Sequence, residues 1–551
     1  MPEPRALRSH TGTLHSLKLG HASASETRTI PFVCVLAASC LTARPASSDE
    51  SVPPGHAATP DDHVRIVVSA LVPQNRSQPD GPLKLWTLQG VVTPDQPDEA
   101  SRDPVLIAAE AGHAGDADAH RVGGGAASLL AKAERWCTIA EENAYAGVKR
   151  RRNLHCVVNP AGGKGKAKAL WNEAVQPMFE VAGCSFDVSY TGPPKSPENA
   201  SAIGAKHPFD TYDALVSFSG DGIVHELLNG LANHKSGKGR KALRETPVVH
   251  VPCGSGNALA TSLLGPEKVG DVRWAALAAL KGKPLPMDMG SLTQSSGKRI
   301  YTFLSQAFGL MADLDLGTEH LRWMGDARFT YGYVKGALER RRYPLHLDVD
   351  IIASCRADIA RQHNAALQSG SRGDAKPPTT PTDGGHEGDE MPKLSLPGIF
   401  ESFQEPATEL QHLPTEEGVK PGRYSFDLSK DGVFFLYGGK VPFVAKDVMM
   451  FPAADPNDGL IDLAIVSSMG RAEALQAMDG ADKGALFSLR SLTYLKAKSY
   501  RLSFPPKQGS CISIDGEEVP YEAFQIEMHQ SLARVMSVTG RWEGRRPLEG
   551  Y

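Results

Sequence analysis

The 551-residue sequence has no apolar run long enough to span a bilayer, no Cys-x-x-Cys pair and no excess of basic charge. A membrane-spanning helix needs about 20 consecutive apolar residues, and the longest run here, residues 30–43, falls short of that. It reads as the core of a signal peptide, a transit peptide or an apolar patch in a disordered tail, and the distance of basic residues from it favours the tail. The eight cysteines (34, 40, 137, 156, 184, 253, 355 and 511) are scattered, with no Cys/His cluster at zinc spacing. A disulfide scaffold and a zinc finger are thereby excluded, and the thiols read as reduced side chains of an intracellular, cytoplasmic protein. A net charge of −4 offers no surplus of cations to neutralise phosphates, which excludes nucleic acid as a partner.

What is present is organised in blocks. Residues 1–60, rich in Ser, Ala, Pro and His, lack sustained periodicity and are expected to be disordered. Short strands at 63–68, 83–88 and 104–107 and a helix over 126–145 would suit a small pleckstrin-like or degenerate regulatory region over 61–149. From residue 150 to 295 strands at 155–158, 186–190, 214–218 and 248–251 alternate with helices, which implies an α/β nucleotide-binding domain with a parallel sheet. Ligands of such sheets bind at the carboxyl ends of the strands. From 296 to 545 the apolar period shifts towards two, implying a mostly antiparallel β-sandwich-like second domain. A Pro/Gly/Asp/Glu-rich stretch over 366–422 breaks it and reads as a disordered insertion.

Three glycine-rich turns fall at strand ends. Asn159-Pro-Ala-Gly162-Gly163-Lys164-Gly165-Lys166 lets backbone N–H groups approach an anion, and Lys164 or Lys166 adds a full positive charge. It lacks the spacing and the Ser/Thr of a Walker motif. In Ser219-Gly220-Asp221-Gly222 a carboxylate between two glycines opens a helix carrying His225, Glu226 and Asn229, whose buried stripe is expected at Ile223, Leu227 and Leu231. Taken alone, Asp221 is an aspartate on a tight turn at a helix start. Pro252-Cys-Gly254-Ser255-Gly256-Asn257 is the third turn, and it is not a Rossmann fingerprint. Each motif singly is weak; three along one edge of a parallel sheet point to a nucleotide phosphate site.

These three motifs in this order resemble the diacylglycerol kinase catalytic-domain superfamily. Phe308-Gly-Leu-Met-Ala-Asp313-Leu-Asp315, then Glu319, Arg322, Gly325, Arg328 and Phe329, with Asp515-Gly516-Glu517 near the C-terminus, are similar to the sphingosine kinase subgroup within it. The resemblance covers about 150–355 and 423–545.

It implies transfer of the γ-phosphoryl group of Mg²⁺-ATP to the primary hydroxyl of a sphingoid long-chain base. Asp221 matches the aspartate that accepts the hydroxyl proton. Asp315 matches the residue that contacts the amino and hydroxyl head of the base. Asp313 is the neighbouring alternative, since alternation along a strand would point both the same way. The three glycine turns, Glu226, Thr191, Arg322, Arg328, Gly516 and Glu517 match the nucleotide site, with Asp515 open as a metal ligand beside the phosphates. Pro193-Pro194 departs from the charged residues usual in the family after Thr191. The Asp458-Gly459 turn is read as structural. A substrate that lives in membranes implies reversible association with the membrane surface. A ceramide or diacylglycerol kinase, or a silent lipid-binding scaffold, remain the alternatives. Oligomeric state is left open.

Overall fold

The computed structural model describes residues 4–8, 14–20, 27–31, 35–42, 64–74, 81–92, 126–316, 341–370, 388–399, 401, 407–414, 416–470, 473, 479–506 and 511–551. They divide into two compact units, residues 1–152 with 174–185 and residues 153–173 with 186–551.

In the first unit, strands β1 (Pro4–Arg8), β2 (Leu14–Gly20) and β3 (Thr27–Pro31) form one antiparallel sheet. A second antiparallel sheet comprises β4 (Val35–Thr42), β5 (Val64–Pro73) and β6 (Leu83–Val92). Four strands thus lie where a disordered tail is expected. The apolar run supplies β4, with Val35 and Leu36 buried. Helix α1 (Ala126–Ala144) is tied to that strand, Glu141 accepting from the Ala38 N–H at 3.2 Å. Just beyond the helix, the Tyr145 hydroxyl donates to the Leu36 carbonyl at 2.8 Å. A hydrophobic strand covered by a helix therefore replaces the tail. The strand expected at 104–107 lies outside the described residues.

The second unit is built on one 16-stranded sheet. Its parallel part contains β7 (Asn153–Val158), β9 (Ala214–Ser219) and β10 (Val248–Pro252), with β8 (Ser185–Tyr190) beside β7. Strands β7, β9 and β10 are almost wholly buried, as near-continuous Val/Leu/Ala runs require. Trp171 sets edge-on against Phe186 and Phe218, at ring distances of 5.3 and 5.0 Å, and pins the helical turns after β7 to the sheet. Helices α2 (Ala200–Lys206), α3 (Asp221–Ala232), α4 (Gly239–Glu245), α5 (Ala258–Leu264) and α6 (Val272–Lys281) complete this half. In α3 the apolar stripe is Val224, Leu227, Leu228 and Leu231; Ile223, expected within it, is only partly buried.

The antiparallel half begins inside the region expected to be purely α/β. Strand β11 (Lys283–Gln294) pairs along its length with β24 (Phe524–Ser537), and β24 also meets β10 in parallel at Val248 and Val535. The two halves are therefore one sheet, without a break near residue 295. The remaining strands of this sheet are β12 (Arg299–Thr302), β13 (Ser305–Gly309), β14 (Tyr343–Ala353), β15 (Thr408–Leu410), β16 (Gly422–Val433), β17 (Phe435–Gly439), β20 (Ile461–Val466), β21 (Leu492–Ser503), β22 (Ile512–Ile514) and β23 (Glu517–Val519), while β18 (Phe443–Ala445) and β19 (Val448–Met449) form a separate two-stranded sheet. Helix α7 (Leu310–Asp315) follows β13, and α8 (Arg356–Gly370) follows β14. Phe308, Tyr343, Phe426, Phe435 and Tyr500 fill the core of this half. Part of the stretch expected to be a disordered insertion is ordered. Arg501 donates to the carbonyls of Glu401 and Gly398, and Glu527 accepts from the Ser395 and Leu396 amides, so residues 395–401 dock onto the sheet. Residues 371–387 lie outside the described residues.

Asp458 bridges the buried Lys440 and the half-buried Lys496, lying 2.6 Å from Lys440 Nζ and 3.0 Å from Lys496 Nζ. Asp288 and Asp462 complete this ion network, at 2.7 Å from Lys440 and 3.0 Å from Lys496.

A second polar cluster sets a pH dependence of stability. His155 on β7 lies Nδ1 to Nδ1 at 2.9 Å from His207, the rings stacked, and its Nε2 is 2.8 Å from the Ser189 hydroxyl. Burial, with the neighbouring His155 and His234, pushes His207 down to about 3, and burial also depresses His155. Both folded values lie below the ordinary 6.5, so as pH falls the unfolded chain binds protons that the folded chain refuses. The contribution is complete above about pH 6.5 and is lost on acidification, by roughly 2 kcal/mol from His207 between pH 6.5 and 5. Thermal unfolding across that window should show the fall, and His207→Gln should flatten it.

Candidate active site

Strands β7, β8, β9 and β10 deliver Asn159, Thr191, Gly220 and Cys253 to their carboxyl ends. The first turn is tight: Asn159 accepts from the Ala161 amide at 3.1 Å through its side chain and from Gly162 at 3.0 Å through its carbonyl. Gly162–Gly165 then makes one helical turn, ending with Gly165 at φ +82°. The side chain of Lys164 lies outside the described residues, as do Arg322 and Arg328. Thr191 donates its amide to the Val158 carbonyl at 3.0 Å, which holds the end of β8 beside the end of β7.

The second and third turns touch. A Cβ on Gly254 would fall 2.6 Å from the Gly220 Cα, a separation side chains do not tolerate, so position 254 requires glycine; a Cβ on Gly220 would lie 3.3 Å from the Gly254 Cα, a tight contact. The third turn is locked by Asn257, which takes a left-handed backbone (φ 48°). Its Oδ1 accepts from the Gly254 amide at 2.9 Å and its Nδ2 donates to the Gly254 carbonyl at 2.7 Å. Ser255 at the apex is exposed, and Gly256 packs against Asp221.

Asp221 is the first residue of α3, behind the extended N-cap Gly220. Its Oδ2 accepts from the Ala258 amide at 2.8 Å and its Oδ1 from the Leu259 amide at 3.1 Å. Two N–H groups from the start of α5 thus orient the carboxylate. The side chain keeps 11 % exposure, so it is open at one face and held at the other.

The β22–β23 hairpin closes over this edge. Glu517 packs its carboxylate over Gly222, filling the space a side chain there would occupy. Asp515, in a left-handed turn conformation (φ 53°) with Gly516 at φ +86°, points inward instead. Its Oδ1 accepts from the Thr302 hydroxyl (2.6 Å) and the amides of Leu304 (3.0 Å) and Ser305 (2.9 Å). Its Oδ2 accepts from the Phe303 amide (3.1 Å) and His225 Nδ1 (2.8 Å). Five donors occupy the carboxylate, and the side chain is fully buried. Asp515 is therefore a structural acceptor, not the metal ligand that its place in the motif leaves open. Burial alone would depress His225, but the Asp515 hydrogen bond and charge, with Glu517 and Glu226, hold it above its ordinary value. Asn229, one turn on, clasps the Tyr301 backbone through both its amide nitrogen and its oxygen, each at 2.8 Å.

Asp313 and Asp315 do not point the same way, because the segment is helix α7 and not a strand. Residues two apart on a helix are turned about 200° from each other. Asp313 accepts from the Tyr343 hydroxyl and from Arg341 at 3.3 Å. Asp315 accepts from the hydroxyl of Ser513 on β22. Since β22 carries the hairpin that overlies Gly222, Asp315 joins the Asp221 edge and Asp313 fastens the strand that follows. Ser513, Thr302 and His250 lie in this network without any motif in the sequence; strand register and crossing backbones bring them in.

Residues 153–292 match the family model described as the diacylglycerol kinase catalytic domain, and residues 438–537 match that of the YegS C-terminal NAD kinase beta sandwich-like domain. Sphingoid long chain base kinase 4 of Schizosaccharomyces pombe is 29% identical over 417 residues, covering 74% of this chain and 80% of that protein. Sphingoid long chain base kinase 5 of Saccharomyces cerevisiae is 28% identical over 437 residues, covering 73% and 61%. Human sphingosine kinase 1 is 28% identical over 383 residues, covering 68% and 88%. With both domain matches in order, on a sheet whose parallel and antiparallel halves correspond to them, the chain carries a diacylglycerol kinase-type catalytic domain ahead of a YegS-type C-terminal domain and is a lipid kinase.

Proposed function

We propose that the chain transfers the γ-phosphoryl group of ATP to the primary hydroxyl of a sphingoid long-chain base, giving a long-chain base 1-phosphate. The observation that carries this reading is the Asp221 carboxylate, anchored by the Ala258 and Leu259 amides between two glycine turns in contact. The relatives named above support the substrate class.

In phosphoryl transfer, positioning and charge stabilisation supply most of the catalysis. The backbone N–H groups of the Asn159–Gly165 and Gly254–Asn257 turns would cradle the nucleotide phosphates, with Thr191, Glu226, Glu517, Gly516, Arg322 and Arg328 as further nucleotide contacts. Asp221 would accept the proton of the attacking hydroxyl and hold its oxygen in line. Asp315 would receive the ammonium and hydroxyl of the base, and Asp313 would hold Tyr343 and Arg341. Among the described residues no group of three or more His, Cys, Asp or Glu could hold a metal, and the Asp515 carboxylate is taken up by its five donors. Mg²⁺ would come bound to the ATP phosphates and neutralise their charge. Among the described residues no helix is long and apolar enough to cross a membrane, and reversible surface association is the proposed access to a lipid substrate.

A carboxylate opposite an ammonium separates sphingoid bases from ceramide and diacylglycerol, which carry no such cation. Losing one charge-assisted hydrogen bond of about 1.5–3 kcal/mol lowers kcat/KM by roughly 10- to 100-fold. Asp315→Asn should show that loss for sphingoid bases in a radiolabelled-ATP assay run in parallel on ceramide and diacylglycerol. An unchanged rate with the base, or preferential labelling of a neutral lipid by the unmodified protein, would reject the substrate assignment.

A further inference from the structure

His250, on β10, stands directly behind Asp221 and belongs to none of the motifs. Its side chain is fully buried, and its Nδ1 lies 3.6 Å from Asp221 Oδ1. Its Nε2 is 3.1 Å from the Ser219 carbonyl, which can only accept, so Nε2 carries the proton and Nδ1 presents a lone pair. Among the described residues that Nδ1 has no hydrogen-bond partner. A buried, unpaired acceptor costs about 1–3 kcal/mol, and here it is aimed at the one side chain proposed to gain a proton. Among the described residues, Asp221 is the charged group that acts on His250. Its other polar neighbours are uncharged: the Ser219 carbonyl, Ser217 opposite it in β9, and the α5 amides of Ala258 and Leu259 that share the carboxylate.

We propose that His250 is the second proton acceptor of the reaction, taking from Asp221 Oδ1 the proton that Asp221 takes from the substrate hydroxyl. This rests on the reading of Asp221 as the base. With Asp221 ionised, the two atoms face each other lone pair to lone pair, and 3.6 Å is longer than a hydrogen bond. Once Oδ1 is protonated, a shift of under about 1 Å makes an O–H···N bond to Nδ1. The balance is complete. The substrate O–H bond breaks as its oxygen bonds to the γ-phosphorus, and the bond from that phosphorus to the ADP oxygen breaks with its electron pair going to ADP. The proton moves to Oδ1 and then to Nδ1, leaving carboxylate and imidazolium paired, and it returns to solvent on product release. Burial keeps the resting imidazole neutral, against the pull of the Asp221 charge, so the acceptor is available at neutral pH.

The test compares His250→Gln, Asp221→Asn and the double variant with the unmodified full chain. Glutamine keeps an N–H donor for the Ser219 carbonyl but has no basic nitrogen. The expected result is a kcat lower by about 10- to 100-fold with KM for ATP and for the long-chain base unchanged. The acid limb of the kcat profile should also move to lower pH, because the pair no longer gains a proton jointly. In the Asp221→Asn background His250→Gln should have no further effect. Wild-type kcat with an unmoved acid limb, or the same fold-loss again in the Asp221→Asn background, would overturn the proposal while leaving Asp221 as base. Full activity of Asp221→Asn would overturn that earlier reading and this inference with it. His250→Asn, a smaller neutral replacement, repeats each comparison if the glutamine variant does not fold, and thermal unfolding of every variant separates lost chemistry from lost structure.

Discussion

Asp221→Asn should lower kcat by about 10³-fold or more, with KM for ATP little changed. The carboxamide has nearly the shape of the carboxylate but no proton affinity near neutral pH, so the substrate hydroxyl keeps its proton while the nucleotide is still bound. One structural cost accompanies the change. The carboxylate oxygens face one amide each, from Ala258 and Leu259, and the new NH₂ would present a donor to one of them. Leaving that buried donor unsatisfied costs about 1–3 kcal/mol, far less than a folded domain's total stability. Steady-state kinetics beside a thermal melt therefore discriminates: a large fall in kcat with a Tm shift of a few degrees supports the base. A silent lipid-binding scaffold predicts no phosphoryl transfer by the unmodified chain either. Activity that survives the substitution removes Asp221 from the chemistry.

The parts of this site that were legible in the sequence are local ones. A glycine turn between a strand and a helix needs only its own residues, so the three turns and Asp221 could be read from spacing. The contact of Gly220 with Gly254 is the spatial form of that pattern. Asp315 was legible as a residue but not as a direction, because so short a stretch of six residues fits strand or helix, and only helix α7 turns Asp313 towards Tyr343. The continuity of the sheet across residue 295 was not legible, for a non-local reason: β11 takes its partner from β24, some 240 residues later. Strands β1 to β3 were missed because their residues are largely polar, and β4 because an isolated apolar run does not disclose a covering helix. Residues 395–401 look like linker in composition, yet Arg501 and Glu527 capture their backbone. His250 had no signal at all, since a lone histidine within an apolar strand reads as core.

Asp515→Asn should be among the most destabilising single substitutions in the chain, and its effect should appear in folding before it appears in chemistry. The carboxylate accepts from three backbone amides, one hydroxyl and His225, with no exposed face. An asparagine keeps one acceptor oxygen and turns its NH₂ towards donors it cannot satisfy. If the nitrogen takes the Oδ2 place, it meets the Phe303 amide and His225; if the Oδ1 place, it meets Thr302, Leu304 and Ser305. Either way a buried, paired acceptor is broken on one side, which costs about 3–5 kcal/mol where charge is involved. His225, held above its ordinary value largely by Asp515, would lose that support and fall back towards its neutral form on burial. Because Asp515 also sets the hairpin that places Glu517 over Gly222 and Ser513 against Asp315, the nucleotide and head-group contacts should loosen together. Thermal unfolding measures the loss directly. A titration of activity with Mg²⁺ supplies the contrast: a metal ligand would raise the Mg²⁺ concentration needed for half-maximal rate while sparing Tm. A structural acceptor lowers Tm and leaves the Mg²⁺ dependence of the surviving folded enzyme where it was.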